Sequence, residues 1–97
     1  MDNKKYKPQL IARESAIKIL YQMKMQDESI KDVMSSFIEK RDYDETLLRN
    51  ILIRYIDNKE QIISLLNEKT DVSLDNIPVL DECIIHLSIC EFLFINK

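Results

Sequence analysis

The sequence contains no glycine and no tryptophan, and only two prolines among its 97 residues. The absence of glycine excludes the glycine-rich loops that hold phosphate groups, and it makes tight β-hairpin turns scarce. Because most connections between strands need such turns, the composition favours an all-α protein. The length predicts a single domain over residues 1–97 with a core of modest size.

The chain also lacks a large excess of one charge, with a formal net charge of −3 and a pI near 5.1. This balance gives no overall attraction for nucleic acid, although a local basic patch can still bind it. Two cysteines, Cys83 and Cys90, lie about 10 Å apart along one predicted helix, too far apart for a disulfide. With no recognisable secretion signal before them, we expect the protein in the reducing cytoplasm.

Long uninterrupted apolar runs are missing as well. The most apolar stretch, residues 79–95, predicts a helix that is buried on nearly all sides. Its length of about 25 Å and its four interruptions, Asp81, Glu82, His86 and Glu91, make it a poor membrane span, which needs about 20 apolar residues. We therefore interpret it as the core helix of a small bundle and expect no association with a membrane.

Apolar residues at helical spacing predict further helices upstream. The first helix follows a flexible basic segment, residues 1–8, and runs from about Pro8 to Met25. Its predicted buried side comprises Ala16, Ile17, Leu20 and Tyr21, with Met23 and Met25. The second helix follows Ser29, an N-cap residue whose hydroxyl can accept a hydrogen bond from the first turn. Its apolar positions, spaced as on one helix face, are Ile30, Val33, Met34, Phe37 and Ile38.

The middle of the chain predicts two more helices. Asp44 caps the third, and a break at residues 57–59 separates it from a fourth helix that ends near Lys69. A single bent helix from Asp44 to Lys69 is the alternative. The third helix carries the apolar stripe Leu48, Ile51, Leu52, Tyr55 and Ile56. A loop over residues 70–76, with Ser73 or Asp75 as a cap, leads to the core helix, which gives a bundle of about five helices.

Three stretches resemble, in order, parts of the NusB transcription antitermination family. Residues 12–22 read ARESAIKILYQ and resemble the opening helix of that family. Residues 73–81 read SLDNIPVLD and are similar to its loop into a central helix, and residues 84–93 read IIHLSICEFL and are similar to the helix itself. The resemblance implies an all-α RNA-binding protein with no catalytic activity and no cofactor.

The family resemblance also implies partners. NusB proteins pair with NusE, a small-subunit ribosomal protein, and the pair recognises a boxA element on nascent RNA within the RNA polymerase antitermination complex of ribosomal RNA transcription. Cationic side chains neutralise phosphates, and aromatic rings stack on unpaired bases. The implied RNA-binding residues are Lys4, Lys5, Lys7, Arg13 and Tyr21. The implied partner-binding residues are Asp81, Glu82 and Ile85.

The chain departs from the family pattern at informative positions. Residues 9–11 are Gln, Leu and Ile where the family usually has arginines, so we expect weaker RNA binding. Glu82, His86 and Cys90 replace a usual cation, arginine and tyrosine, so we expect the partner surface to be altered.

The family pattern continues with two further helices that we expect to be missing from this chain. Their loss would expose Ile85, Ile89, Phe92 and Phe94 on the core helix, and an apolar face of that kind favours self-association.

The candidate residues also have ordinary structural interpretations. The terminal lysines can form a solvated tail, Arg13 can be a surface cation, and Tyr21 can pack its ring in the core. Cys83, His86 and Cys90 share one helix face, but three ligands from one helix close a tetrahedral metal site poorly, so we predict packed thiols, a histidine at the core rim and no metal.

No arrangement of nucleophile, base and oxyanion donors accompanies His86, so we predict no enzyme. Two alternatives to an antitermination factor remain open. The chain can be the NusB-like accessory domain of a ribosomal RNA cytosine methyltransferase, which would need a separate cofactor-binding domain. It can also be a degraded helical module that borrows the apolar surface of a partner.

Overall fold

The computed structural model describes the backbone of residues 3–69 and 77–95. It describes the side chains of residues 7–68 and 77–95. The described residues form four α-helices and no strand, which confirms the all-α prediction with four helices in place of about five. The helices are α1 (Asn3–Gln26), α2 (Ile30–Ser36), α3 (Glu45–Lys69) and α4 (Val79–Cys90), and a π-helical segment, Glu91–Ile95, continues α4. The predicted loop over residues 70–76, with its candidate caps, lies outside the described residues.

One core joins the three long helices. Helices α1, α3 and α4 pack against one another in all three pairs, and the short α2 packs on α1. Tyr55 of α3 is the largest side chain that is fully buried. The buried apolar cluster contains Ala12, Ala16, Ile19, Leu20, Val33, Leu48, Ile51, Leu52, Tyr55, Ile62, Cys83, Leu87 and Cys90.

Helix α1 begins at Asn3 rather than at about Pro8, the predicted start. Pro8 is the sixth residue of this helix, and α1 continues through it although a proline there removes one intrahelical hydrogen bond and its ring crowds the preceding turn. The carbonyl of Pro8 also accepts a hydrogen bond of 3.0 Å from the backbone N–H of Asp44, which ties this end of α1 to the start of α3. The predicted flexibility of residues 1–8 stays a prediction.

Helix α1 ends without glycine. Asp27 adopts a left-handed backbone conformation with φ of 52°, and the N–H of Glu28 donates to the carbonyl of Met23 at 3.2 Å. This is the hydrogen bond of a Schellman C-cap, in which glycine usually occupies the left-handed position. Aspartate tolerates that conformation better than most residues, which suits a chain that contains no glycine.

The buried side of α1 differs from the predicted one. Ala16 and Leu20 are buried as expected, but Tyr21 and Met25 are exposed. The core instead takes residues that the prediction left out, namely Ile11, Ala12, Ser15 and Ile19. Apolar residues occur all round this helix, so its sequence pattern does not define one buried face.

Both predicted N-caps on the following helices are confirmed. The N–H of Asp32 donates to the Ser29 hydroxyl at 3.2 Å, and the N–H of Leu47 donates to the Asp44 carboxylate at 2.9 Å. These side chains satisfy N–H groups that have no partner within the first helical turn.

Helix α2 ends at Ser36, earlier than the predicted stripe, which continued to Ile38. The Ser35 hydroxyl donates to the Lys31 carbonyl at 2.8 Å, and the Ser36 hydroxyl donates to the Val33 carbonyl at 3.2 Å. Serine hydroxyls that bond nearby carbonyls weaken a helix. Ile38 is consequently 79% exposed.

The predicted break at residues 57–59 is wrong, and the alternative of one long helix is correct, because α3 runs without interruption from Glu45 to Lys69. Asn58 donates its side-chain amide to the Arg54 carbonyl of the same helix at 2.8 Å. Ile62, beyond the predicted break, is fully buried like Tyr55 two turns earlier. Packing therefore continues along one face through the polar residues.

The prediction that α4 is buried on nearly all sides is wrong. Its inward face buries Cys83, His86, Leu87 and Cys90. Other apolar residues are exposed, namely Leu80 and Ile84 of α4 and Phe92 and Leu93 of the π-helical segment. Of the four positions expected to be exposed, Phe92 is 74% exposed, whereas Ile89 and Phe94 pack against the core and Ile85 is half-buried. In the part of the chain that the structure describes, no helix is both long and apolar enough to cross a membrane.

Candidate nucleic-acid interface

One of the basic residues that the sequence singled out, Lys7, lies on the exposed side of α1. Lys7 is exposed and lines a shallow cleft of about 400 Å³ with Pro8, Ile11, Arg41 and Asp42. Lys4 and Lys5 lie on the same helix, but their side chains are outside the described residues.

A further cation on this side, Lys18, was missed at the sequence level. It is exposed and follows Lys7 by eleven residues, which is three helical turns and returns it to the same face. The spacing of eleven residues between Lys7 and Lys18 could have predicted this shared face from the sequence.

Tyr21 lies beside Lys18 and is 37% exposed, so it does not belong to the buried core. Tyr21 and Lys18 line one shallow cleft of about 290 Å³, together with Met25 of α1 and Leu80 of α4. An exposed phenol ring beside a lysine can stack on an unpaired base while the ammonium group neutralises a phosphate.

Arg13 points away from this row and toward the end of α4. Its Nε donates to both carboxylate oxygens of Glu91, at 2.8 Å to Oε1 and 3.0 Å to Oε2. The Arg13 side chain is 40% exposed and that of Glu91 is 19% exposed. Arg13 is therefore neither a free surface cation nor a buried one, because one edge of its guanidinium is fixed while the rest remains open to solvent.

A second ion pair joins α1 to α4 nearer the other end of the two helices. The Nζ of Lys24 lies 3.1 Å from Oε1 of Glu82. Because residue 13 pairs with residue 91 and residue 24 pairs with residue 82, the two helices run antiparallel. Both pairs are partly open to solvent. Solvent-exposed ion pairs stabilise by roughly 0.2–1 kcal/mol each, so we expect the larger effect of these two to be on side-chain positions.

Arg41, in the connection before α3, is held by carboxylates. Its guanidinium donates to Glu39 at 2.8 Å through Nη2 and to Glu14 of α1 at 3.2 Å through Nη1. The hydrogen bonds from the Arg41 side chain and backbone lower the pKa of Glu39 to about 2. Because carboxylates already pair with Arg41, we expect a phosphate to be attracted more strongly to Lys7, which lines the same cleft.

The three residues predicted to bind a partner occupy different environments on α4. Asp81 is exposed, and Glu82 pairs with Lys24. Ile85 is half-buried in a cleft of about 400 Å³ between α3 and α4, which Glu82 also lines. The structure therefore brings Glu82 and Ile85 to one cleft and leaves Asp81 in solvent beside it.

His86 is buried in the core, so the prediction that it lies at the core rim is wrong. It is 4% exposed, and its Nδ1 lies 3.3 Å from the hydroxyl of Tyr55. Burial lowers the pKa of His86, and the positive charge of Lys24 lowers it further. The imidazole is therefore kept neutral, and its contact with Tyr55 satisfies two polar groups inside the core.

The two cysteines are free thiols packed in the core. Burial raises the pKa of Cys83, and it raises the pKa of Cys90 to about 11, so both stay protonated and unreactive at neutral pH. Among the residues that the structure describes, no group of three or more His, Cys, Asp or Glu side chains could hold a metal ion.

Comparison with known proteins identifies the family. A sequence model described as the NusB family matches residues 10–97. The chain is 27% identical over 92 residues to the transcription antitermination protein NusB of Finegoldia magna, covering 89% of this chain and 66% of that protein. It is 29% identical over 90 residues to the protein of the same name from Oceanobacillus iheyensis, covering 88% of this chain and 68% of that protein.

The chain thus spans about two thirds of the length of these curated relatives. The family match itself extends over nearly the whole chain, and the all-α fold agrees with it. From its sequence and its fold together, this chain belongs to the NusB family.

Proposed function

We propose that this protein is a non-catalytic RNA-binding factor for transcription antitermination. It binds boxA-type RNA together with NusE, within the antitermination complex of RNA polymerase. The observation that carries the proposal is the family match over residues 10–97. Both relatives described above are named transcription antitermination proteins, which favours this function over the accessory domain of a methyltransferase.

The exposed side of α1 is the proposed RNA surface. Lys7 and Lys18 lie on one face, Tyr21 beside them exposes its ring, and Arg13 lies at the boundary with α4. The distance from Lys7 to Tyr21 along the helix is about 21 Å, enough for several nucleotides of an extended strand. Lys4 and Lys5 extend the same helix and belong to the proposed surface.

The proposed NusE surface is the first half of α4, with Asp81, Glu82 and Ile85. An exposed carboxylate beside a half-buried isoleucine gives the polar rim and apolar centre that protein interfaces commonly combine. A factor that acts on nascent RNA works in the cytoplasm, and that location is part of the proposal.

The test is binding of labelled boxA RNA by the purified chain, with and without NusE, against an RNA of scrambled sequence. We expect NusE to strengthen the preference for boxA, and we expect the affinity to fall as salt is raised, because phosphate contacts release counterions. Lys7→Ala with Lys18→Ala should weaken binding and flatten the salt dependence, by a slope of about 1 for each lost phosphate contact.

The matched control is Lys31→Ala on α2, which removes an exposed lysine from another part of the molecule. If the control weakens binding as much as the α1 variants do, the cations act only through net charge and the proposed surface is wrong. Equal affinity for boxA and scrambled RNA under both conditions would contradict the proposed function.

A further inference from the structure

We propose that Glu91 is a positioning residue for RNA binding, which holds the guanidinium of Arg13 by its Nε and directs its two terminal amino groups toward an RNA phosphate. The inference rests on the proposed RNA-binding function. It adds a residue from the end of α4 to a surface otherwise formed by α1.

The hydrogen bonds of Arg13 leave its planar fork open. Nε donates to both oxygens of Glu91, and neither terminal amino group makes a hydrogen bond with any residue that the structure describes. A guanidinium has five N–H donors, of which four belong to the terminal groups. Two parallel N–H groups of such a fork match two oxygens of a phosphate.

The two side chains of the pair differ in their exposure to solvent, which also favours binding of a phosphate by Arg13. The Glu91 side chain is 19% exposed, about half the exposure of Arg13 at 40%. A phosphate that approaches from solvent therefore reaches the cation more readily than the carboxylate behind it.

Glu91 is itself well placed to hold a side chain still. It is the first residue of the π-helical segment, and its backbone N–H donates to the carbonyls of both Leu87 and Ser88. Its neighbour Cys90 is fully buried, as are Ala12 and Ala16 on either side of Arg13 along α1. Both ends of the pair are thus anchored in packed helices, and a group fixed in advance loses less entropy when it binds.

Among the residues that the structure describes, the other arginines and lysines in ion pairs are held differently. Arg49 contacts Glu45 at 2.7 Å through a terminal nitrogen, Nη2, so one arm of its fork is occupied. Arg41 uses Nε, Nη1 and Nη2 for carboxylates of Glu39 and Glu14, so its fork is occupied. Lys24 has a single nitrogen, which contacts Glu82, and an ammonium group cannot present a planar fork.

The test measures the affinity of the full chain for boxA RNA as a function of salt, with melting followed by circular dichroism for each variant. Glu91→Ala removes a negative charge, so general electrostatics alone would strengthen RNA binding. The positioning role predicts the opposite, a loss of roughly fivefold, because the fork is no longer held in place. Glu91→Gln keeps an acceptor for Nε and should bind almost as well as the unchanged protein.

Two further variants test whether the ion pair positions Arg13 for RNA binding or only stabilises the fold. Arg13→Lys keeps the charge but loses the fork, and we expect binding to fall roughly as far as in Glu91→Ala. The exchange Arg13→Glu with Glu91→Arg restores an ion pair between the helices. It should recover the melting temperature but not the RNA affinity.

The outcomes are distinguishable. If Glu91→Ala binds as tightly as the unchanged protein or more tightly, or if the charge exchange restores affinity, Glu91 does not position Arg13. If Glu91→Ala melts too early to be measured, Glu91→Gln and the charge exchange decide the question. If the unchanged protein itself shows no preference for boxA RNA, the proposed function fails and the positioning role fails with it.

Discussion

At the scale of single residues, Asp27 shows how this chain manages without glycine. Its left-handed backbone, with φ of 52°, costs an L-residue about 1–2 kcal/mol that glycine would not incur. We therefore expect Asp27→Gly to raise the free energy of unfolding by about 0.5–1 kcal/mol, after the larger chain entropy of glycine is subtracted.

For a domain of this size, that gain corresponds to a rise of roughly 2–8 °C in melting temperature. Asp27→Ala is the control, since alanine tolerates the left-handed conformation no better than aspartate does, and it should not stabilise. A lower melting temperature for Asp27→Gly would show that the carboxylate itself contributes more than the backbone conformation costs.

Buried His86 makes stability depend on pH. Burial lowers its pKa in the folded protein, whereas the unfolded chain has the ordinary value of 6.5. Below that value the unfolded state binds a proton that the folded core resists, so the free energy of unfolding falls as pH falls through 6.5. Urea denaturation at about pH 7.5 and about pH 5.5 should show the loss at the lower pH.

The charged and titratable neighbours of His86 are Lys24, Glu82, Lys59 and Tyr55, from all three long helices. To isolate the histidine from them, the same measurement uses His86→Gln, which keeps polar atoms but does not titrate. The difference between the two pH values should be smaller in this variant. An equal difference would assign the pH dependence to groups other than His86.

Features that involve only one residue and its neighbours in the chain were predictable from the sequence. Ser29 and Asp44 were predictable as caps because an N-cap side chain bonds an N–H only three residues away. The pair of Arg13 and Glu91 was not predictable, because the two residues lie 78 positions apart and meet only when α1 packs against α4. His86 was misplaced for the same reason, since its buried partner Tyr55 belongs to another helix.

Among the helices, α3 is notable because it continues without a break through the polar residues 57–59. Since Asn58 lies inside one uninterrupted helix, Asn58→Pro should cost about 3 kcal/mol or more, by removing an intrahelical hydrogen bond and clashing with the preceding turn. Urea denaturation measures this loss. Lys40→Pro, in the connection before α3, should cost much less, and equal costs at the two positions would contradict a continuous helix.

The helices differ in how well their sequences define a buried face. In α3 four members of the predicted stripe, Leu48, Ile51, Leu52 and Tyr55, are buried at helical spacing, whereas its last member, Ile56, is 41% exposed, so the prediction is wrong at that position. Helix α1 also carries Ile11 and Ile19 outside the predicted face, so its orientation depends on which side the other helices cover. Tertiary packing, rather than the pattern in α1, determined that Tyr21 faces solvent.

For the molecule as a whole, the notable surface feature is a set of exposed apolar residues on α4 and on the π-helical segment that follows it. Ile84 is 41% exposed and Phe92 is 74% exposed on the same stripe, eight residues apart. We expect sedimentation to show association that grows with concentration and that weakens when both residues are replaced by glutamate, since charge on an apolar contact surface opposes burial.

Ile53→Glu on α3 is the control for this experiment, because Ile53 is 55% exposed on a different helix. It should leave the association unchanged. A monomer at all concentrations, or an equal effect of the control, would contradict association through α4.

The proposed function depends above all on binding of boxA RNA through α1. The most direct measurement is the affinity of the purified chain, in the presence of NusE, for boxA RNA and for a scrambled RNA of equal length and composition. We predict tighter binding to boxA RNA, with a salt dependence that flattens in the Lys7→Ala, Lys18→Ala variant and not in Lys31→Ala. Equal affinity for the two RNAs would show that the chain does not recognise boxA.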